Sequence, residues 1–270
     1  MTDYEGWDFW DPEIQELPPM GVGYNQPKIS ICTTVMNRLH DLQKTLPLNM
    51  HHNREYPNVE FVILDYNSSD YLGEYIRRMY MGDIERGRLV YARTEEPQYF
   101  SMAHSRNLAF KVASGYIVNN VDADNFIGRH FVDTLARMAC VQPQKAVFAK
   151  GKRMMHGRIG FYKKEFIELG GYDEDLKGYG ADDSNLMYRA MASGYKLMWW
   201  NQLGKFSHRL KTDRRDKVLH MENKNWKETE EINKAITEKN LAEGRLIANV
   251  GRPWGASRIV KNFKEELQLC

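Results

Sequence analysis

The stretch VNNVDADN, residues 118–125, continues an apolar run from Tyr116 and Ile117 and ends on two carboxylates, Asp122 and Asp124. Side chains alternate along an extended segment, so acids two positions apart project to one side, and about 7 Å of backbone aims both at one point. Two like charges held there repel unless a cation sits among them. Hard oxygen ligands at a strand end suit Mg²⁺ or Mn²⁺ carried in by a phosphate-bearing substrate. A turn is the competing explanation, since Asp and Asn are common where strands stop.

Upstream of this stretch, strand-like and helix-like segments alternate. KISICTTV (28–35) follows Pro27 and is β-branched; VEFVILDYNSSD (59–70) is a second apolar strand running into a turn; RLVYAR (88–93) is a third. Between them RLHDLQKTLPLNMHH (38–52) has helical spacing, with Pro47 expected to kink or end it, and YLGEYIRRMY (71–80) has it again. SMAHSRNLAFKVAS (101–114) reads as a helix with Ser101 as N-cap. Strands separated by helices imply parallel pairing through right-handed crossovers, an α/β, Rossmann-like nucleotide-binding arrangement. Ligands collect beyond the carboxyl ends of such strands. Those ends carry Thr33, Thr34, Asn37 and Arg38 after the first strand, Asp65 to Asp70 after the second, and Asp122 and Asp124 after the fourth. That convergence favours the metal reading over the turn. No G-x-G-x-x-G follows the first strand, and no P-loop sequence occurs.

After residue 140, KAVFAKGKRMMHGRIGFYKKEF reads as strands around a glycine-bearing turn. A Gly-rich loop then leads into Ala181-Asp182-Asp183-Ser184 and the helix NLMYRAMASG, with Ser184 or Asp183 as N-cap and Gly194 as C-cap. YKLMWW (195–200) is another strand, 205–217 is basic, and 222–245 reads as a charged amphipathic helix. The tail after 250 carries no readable motif.

The chain has 270 residues, 42% hydrophobic and 27% charged, with a net charge of +2 that demands no polyanionic partner. Cys32, Cys140 and Cys270 are far apart and form no C-x-x-C, which argues against a disulfide framework or structural zinc and fits a reducing compartment. The acidic N-terminus has no secretory signal pattern, and no apolar run approaches the roughly 20 residues of a membrane span. The expectation is a soluble, cytoplasmic protein. His51 and His52 are adjacent on a helix and read as surface residues.

ISICTTVMNR, FVILDYNSSD, SMAHSRNLAF, ASGYIVNNVDADN and FIELGGYDEDLKGYGADDSNLMYRA, taken in order, resemble the GT-A glycosyltransferases, especially glycosyltransferase family 2 and the β-1,4-galactosyltransferases. The resemblance covers about residues 28–208. It implies a GT-A nucleotide-sugar-binding fold with a central, mostly parallel sheet, organised as an arm (1–26), a catalytic domain (27–204) with nucleotide-binding (27–125) and acceptor-binding (126–204) halves, and a basic lid loop with a C-terminal helical extension (205–270). It also implies a UDP-sugar donor and Mn²⁺ or Mg²⁺. In the roles it carries, Thr34, Asn37 and Arg38 flank the donor and Asp65 accepts from the uracil N3–H. Arg106 faces the diphosphate or braces Asp65 or Asp122. Asp122 sits near ribose and metal, Asp124 is a direct ligand, and His208 completes the metal site. Asp183 is the catalytic base, and Asp182 stands where the family has Glu, beside an acceptor hydroxyl. In-line attack activated by a base inverts the anomeric centre, although retaining polypeptide GalNAc-transferases share a similar acceptor segment.

Two other classes fit parts of the chain. A nucleotidyltransferase also uses paired aspartates, but TTVMNRLHD lacks the Gly-rich loop it needs. A polyanion or nucleic-acid binder on a degenerate GT-A fold would use Lys150, Lys152, Arg153, Arg158, Arg209, Lys211, Arg214 and Arg215. The acceptor itself, whether saccharide, peptide or modified nucleic acid, leaves no signature in the sequence.

Overall fold

The β-branched run at 29–35 and the apolar run at 59–66 have side chains for both faces of a sheet, so they become its centre. The computed structural model describes residues 9–10, 26–150, 158–200, 209–211 and 213–270. Its strands are β1 (Phe9–Trp10), β2 (Ile29–Val35), β3 (Val59–Tyr66), β4 (Leu89–Thr94), β5 (Ile117–Asn120), β6 (Ala146–Lys150), β7 (Ile159–Tyr162), β8 (Lys196–Trp200), β9 (Ser257–Lys261) and β10 (Glu265–Leu269). Its helices are α1 (Leu39–His52), α2 (Leu72–Glu85), α3 (Met102–Val112), α4 (Phe131–Val141), α5 (Lys163–Glu168), α6 (Asp182–Ala192), α7 (Arg214–Val218) and α8 (Trp226–Ala242).

Among the described residues one sheet runs in the order β1-β8-β6-β7-β5-β2-β3-β4-β9-β10. Strands β5, β2, β3 and β4 are mutually parallel, as the alternation of strands and helices predicts. Strand β7 is antiparallel to both its neighbours. Alternation along β3 sends Phe61 and Ile63 into a core shared with α1, α2 and α4. It sends Val62 and Leu64 into a second core with Leu108 and Phe110 of α3, Phe166 of α5 and Leu186 of α6. With both faces covered, every residue of β3 is buried. No helix among the described residues is long and apolar enough to cross a membrane.

One expectation about the fold is narrowed and one is corrected. Pro47 does not end α1, which runs through it to His52. Gln43 and Pro47 both lie on the exposed face, so the carbonyl that loses its helical donor faces water. The tail is not a purely helical extension: after α8 it returns as the β9–β10 hairpin and lengthens the sheet beside β4. Its turn carries Asn262 and Phe263 at positive φ, with the Phe263 ring stacked 4.5 Å from Tyr91 and capped by Arg77. Phenylalanine in that conformation is held by packing rather than by local preference.

Glu60 ties the parallel strands together. It accepts from Ser30 Oγ at 2.6 Å, Ser114 N at 2.6 Å and Ser114 Oγ at 2.7 Å, and pairs with Lys28 at 3.0 Å. Burial opposes its charge, but these donors outweigh burial and hold its pKa below the ordinary glutamate range. A depressed folded pKa stabilises above the unfolded value and loses that contribution as pH falls through the folded one. Glu60→Gln is therefore expected to cost about 1–3 kcal/mol in urea unfolding at pH 7. The gap between variant and wild type should narrow below about pH 4.5, where the unfolded glutamate itself protonates.

Candidate active site

The carboxyl ends of β2 and β5 and the N-terminus of α6 surround a pocket of about 1070 Å³, open solvent at its mouth included. Thr34, Arg38, Arg106, Asp122, Asp124, Asp182 and Asp183 all line it. The structure thus joins seven of the residues expected from the sequence. They come from segments separated by more than a hundred positions.

Arg106 is the hub. Ser101 caps α3 by accepting from His104 N, and α3 is so enclosed by β2, β3 and α5 that Arg106 is only 2% exposed. It is not a solvated mid-helix charge. Its guanidinium donates to Asp122 Oδ1 and Asp183 Oδ1, both at 3.0 Å, and more closely to Asp182 Oδ2. One cation therefore ties the carboxylate that follows β5 to the two at the start of α6. Burial disfavours the Arg106 charge, but Asp183 and Asp122 outweigh that and raise its pKa further.

Asp122 and Asp124 lie just past β5 in a tight turn closed by Asn125 N donating to Asp122 O at 2.9 Å. The extended geometry expected for them is corrected to a turn, yet both still line the pocket. The turn reading of the opening stretch is the one the backbone adopts. Burial opposes ionisation of Asp122, but Arg106 and then Lys217 overcome it and hold its pKa down at about 2, helped by a 3.0 Å bond from Asn120 Nδ2. Asp124 is nearly inaccessible and pairs with Lys217 Nζ at 2.8 Å.

On the opposite wall, Gly180 and Ala181 adopt φ of 96° and 65°, which swings α6 so that its first residues face the pocket. The N-cap is Ala181, not Ser184 or Asp183; Asp182 and Asp183 occupy the first turn, where backbone N–H groups lack helical acceptors. At the other end Gly194, at φ 82°, follows the C-cap Ser193. Asp183 Oδ1 also accepts from the Tyr172 hydroxyl at 3.1 Å. Burial, opposed by Arg106 but reinforced by Asp122, raises the Asp183 pKa above the ordinary aspartate value. Such a carboxylate is a better proton acceptor than a free one.

Of the other expected residues, several fall elsewhere. Asp65 is fully buried and lies off the pocket wall. It accepts from Tyr91 Oη at 2.5 Å, Arg93 Nη1 at 2.7 Å and Ser68 N at 2.8 Å, a brace between β3, β4 and the following turn. That placement corrects the base-reading role expected of it. Asn37, at φ 54°, accepts from Ser69 N at 2.7 Å and shapes the turn behind the pocket rather than lining it. Arg38 reaches the pocket steered by Asp41, to which its Nε donates at 2.7 Å. His208 lies outside the described residues, as do Lys152 and Arg153. Arg158 is buried and donates to Asn125 Oδ1 at 2.8 Å, so it leaves the basic surface expected for a polyanion binder.

Sequence reasoning missed Phe100, Asp216, Lys217 and His220, which also line the pocket, as does Tyr179, the residue standing where the resembling family has tryptophan. The basic character of 205–217 was the available signal for a pocket wall there.

The donor chemistry of Asp122 and Asp124 suits a divalent cation. Among the described residues no group of three or more His, Cys, Asp or Glu could hold a metal by itself. A cation here needs further ligands, such as the oxygens of a diphosphate and water.

Comparison with known proteins bears on the fold. Residues 136–212 match the family described as the N-terminal domain of galactosyltransferase. The fold is similar to the mannosyltransferase PcManGT from Pyrobaculum calidifontis, solved with GDP-Man and Mn²⁺, with a TM-score of 0.61, 19% identity, and coverage of 88% of this chain and 75% of that one. It is similar to GalNAc-T7, solved with UDP, GalNAc and Mn²⁺, with a TM-score of 0.57, 15% identity, and coverage of 66% and 43%. A fragment of S. aureus TarS gives a TM-score of 0.56 at 14% identity, covering 81% and 73%. No curated protein matches the chain by sequence. The fold is that of the GT-A glycosyltransferases.

Proposed function

We propose that the protein is a metal-dependent glycosyltransferase that moves a sugar from a nucleotide sugar, a UDP-sugar in our reading, to an acceptor with inversion at the anomeric carbon. The observation that carries this reading is Arg106, whose guanidinium ties Asp122 on the nucleotide side to Asp182 and Asp183 on the acceptor side of one pocket. UDP is preferred because GalNAc-T7 and TarS were both solved with it, although PcManGT was solved with GDP-Man.

In this reading Asp124 and Asp122 would hold the cation, with His208 as a further ligand. When bound, the cation neutralises and orients the leaving diphosphate. Thr34 and Arg38 flank the donor. Arg106 keeps Asp122 ionised and fixes Asp183 by its Oδ1, leaving the carboxylate aimed at the pocket. Asp183 takes the acceptor's proton as its oxygen attacks, and Asp182 positions the acceptor.

The test is a thermal melt against UDP-, GDP- and other nucleotide sugars with and without Mn²⁺. A ligand at about 100 times its Kd adds about 2.7 kcal/mol, which corresponds to a rise of roughly 5–10 °C for a chain of this size. The reading expects that rise for one base class and only with the cation. No shift with any nucleotide sugar would refute it.

A further inference from the structure

Lys217 is unexplained by that reading, yet its ammonium stands 2.8 Å from Asp124 Oδ2, with the two side chains 14% and 2% exposed. We infer that Lys217 is the resident cation of Asp124 in the nucleotide-free protein, and that a divalent cation has to displace it. The inference rests on the proposed metal role of Asp124 and adds a competitor for it from the chain itself.

The surroundings deliver Lys217 to this spot. Asp213 caps α7 by accepting from Arg215 N at 2.9 Å. Val218 and Met221, on either side of the next turn, are buried. Phe100 N donates to His220 O at 2.8 Å, and upstream Leu210 N donates to Asp124 O at 2.8 Å. The segment is therefore pinned to the pocket on both sides of Lys217, and one pin is the backbone of Asp124 itself.

A metal would need to lie about 2.0–2.1 Å from a carboxylate oxygen. An ammonium in hydrogen-bond contact with the same carboxylate takes up one of its oxygens and repels an approaching dication. Lysine's flexible four-carbon stem lets the charge leave without moving the backbone. The diphosphate arriving with the cation offers the displaced ammonium a new anion. Metal alone should therefore bind poorly, and metal with nucleotide should bind well.

Titrating Mn²⁺ into nucleotide-free protein and following free Mn²⁺ by electron paramagnetic resonance tests this. Lys217→Met is expected to bind Mn²⁺ about tenfold more tightly than wild type, equivalent to about 1.4 kcal/mol. Equal or weaker binding overturns the inference. If Lys217→Met is poorly folded by circular dichroism, Lys217→Gln is read by the same criterion. Titration of wild type with UDP and Mn²⁺ together separates the two claims. Binding there without tightening in the variant sinks only the role of Lys217, whereas no binding there sinks the metal reading and the role of Lys217 together.

Discussion

Replacing Arg106 with methionine is expected to lower the free energy of unfolding by about 3–5 kcal/mol at pH 7, the range for removing one partner of a buried ion pair. Methionine fills much of the volume, so the loss comes from charge. Asp122, Asp182 and Asp183 would face one another without the guanidinium that satisfies all three. The dependence on pH separates this from a packing defect. In the wild type the Asp122 pKa lies at about 2, so its contribution is present above the unfolded value and is lost only in strong acid. In the variant, crowding raises the folded carboxylate pKa values above their unfolded ones. The native state then binds more protons than the unfolded state, and the variant loses stability as pH rises. The difference between the two proteins should be largest near pH 7 and shrink below about pH 5. A second change, Asp182→Asn on top of Arg106→Met, should restore part of the loss by removing one repelling charge. Urea unfolding at several pH values measures all of this; a difference that ignores pH would mean Arg106 acts by packing.

Arg106 also shows which parts of the molecule are legible in the chain. Local signals were sufficient for the central strands, because an uninterrupted apolar run such as FVIL at 61–64 has one comfortable place between two helical layers. They were sufficient for α3, where Ser101 is a cap that the residues after it can use. They also brought both acidic walls of the pocket into view, since carboxylates at strand and helix ends are informative by position. What they could not reveal were pairings across the fold. Asp65 is visible as an acid at a strand end, but its assignment to a bound base fails on Tyr91 and Arg93, partners from the next strand that already hold it. The basic stretch 205–217 announces positive charge without saying that Lys217 meets Asp124. The hairpin at the C-terminus was hidden because Phe263 occupies a turn position where glycine or asparagine would have announced it. The cap of α6 was misplaced because Ala181 takes a left-handed conformation that its own chemistry does not favour. Backbone strain of this kind is found where a site needs its side chains in one orientation, and here it aims Asp182 and Asp183 at the pocket.

The change with the largest effect on catalysis should be Asp183→Asn, with a fall in kcat of about 10²–10⁴, the usual contribution of a positioned general base. Asparagine preserves the shape and can still accept through its carbonyl from Arg106 and Tyr172, which both address Oδ1 in the wild type. Removing one acid of three also leaves Arg106 with Asp122 and Asp182, so the fold should survive. Donor affinity, read as the Kd for UDP with Mn²⁺, should change little, because Asp183 stands on α6 across the pocket from Asp122 and Asp124. The signature of a base is a loss in kcat with donor binding intact, together with a changed pH profile. Burial raises the Asp183 pKa, so wild-type kcat should decline as pH falls through a value above the ordinary aspartate range, when the carboxylate takes up a proton and can no longer accept one. In Asp183→Asn that acid limb should disappear along with most of the rate. A variant that keeps its rate would remove the base from the mechanism and with it the argument for inversion. One that loses rate and donor binding together would assign Asp183 to holding Arg106 in place.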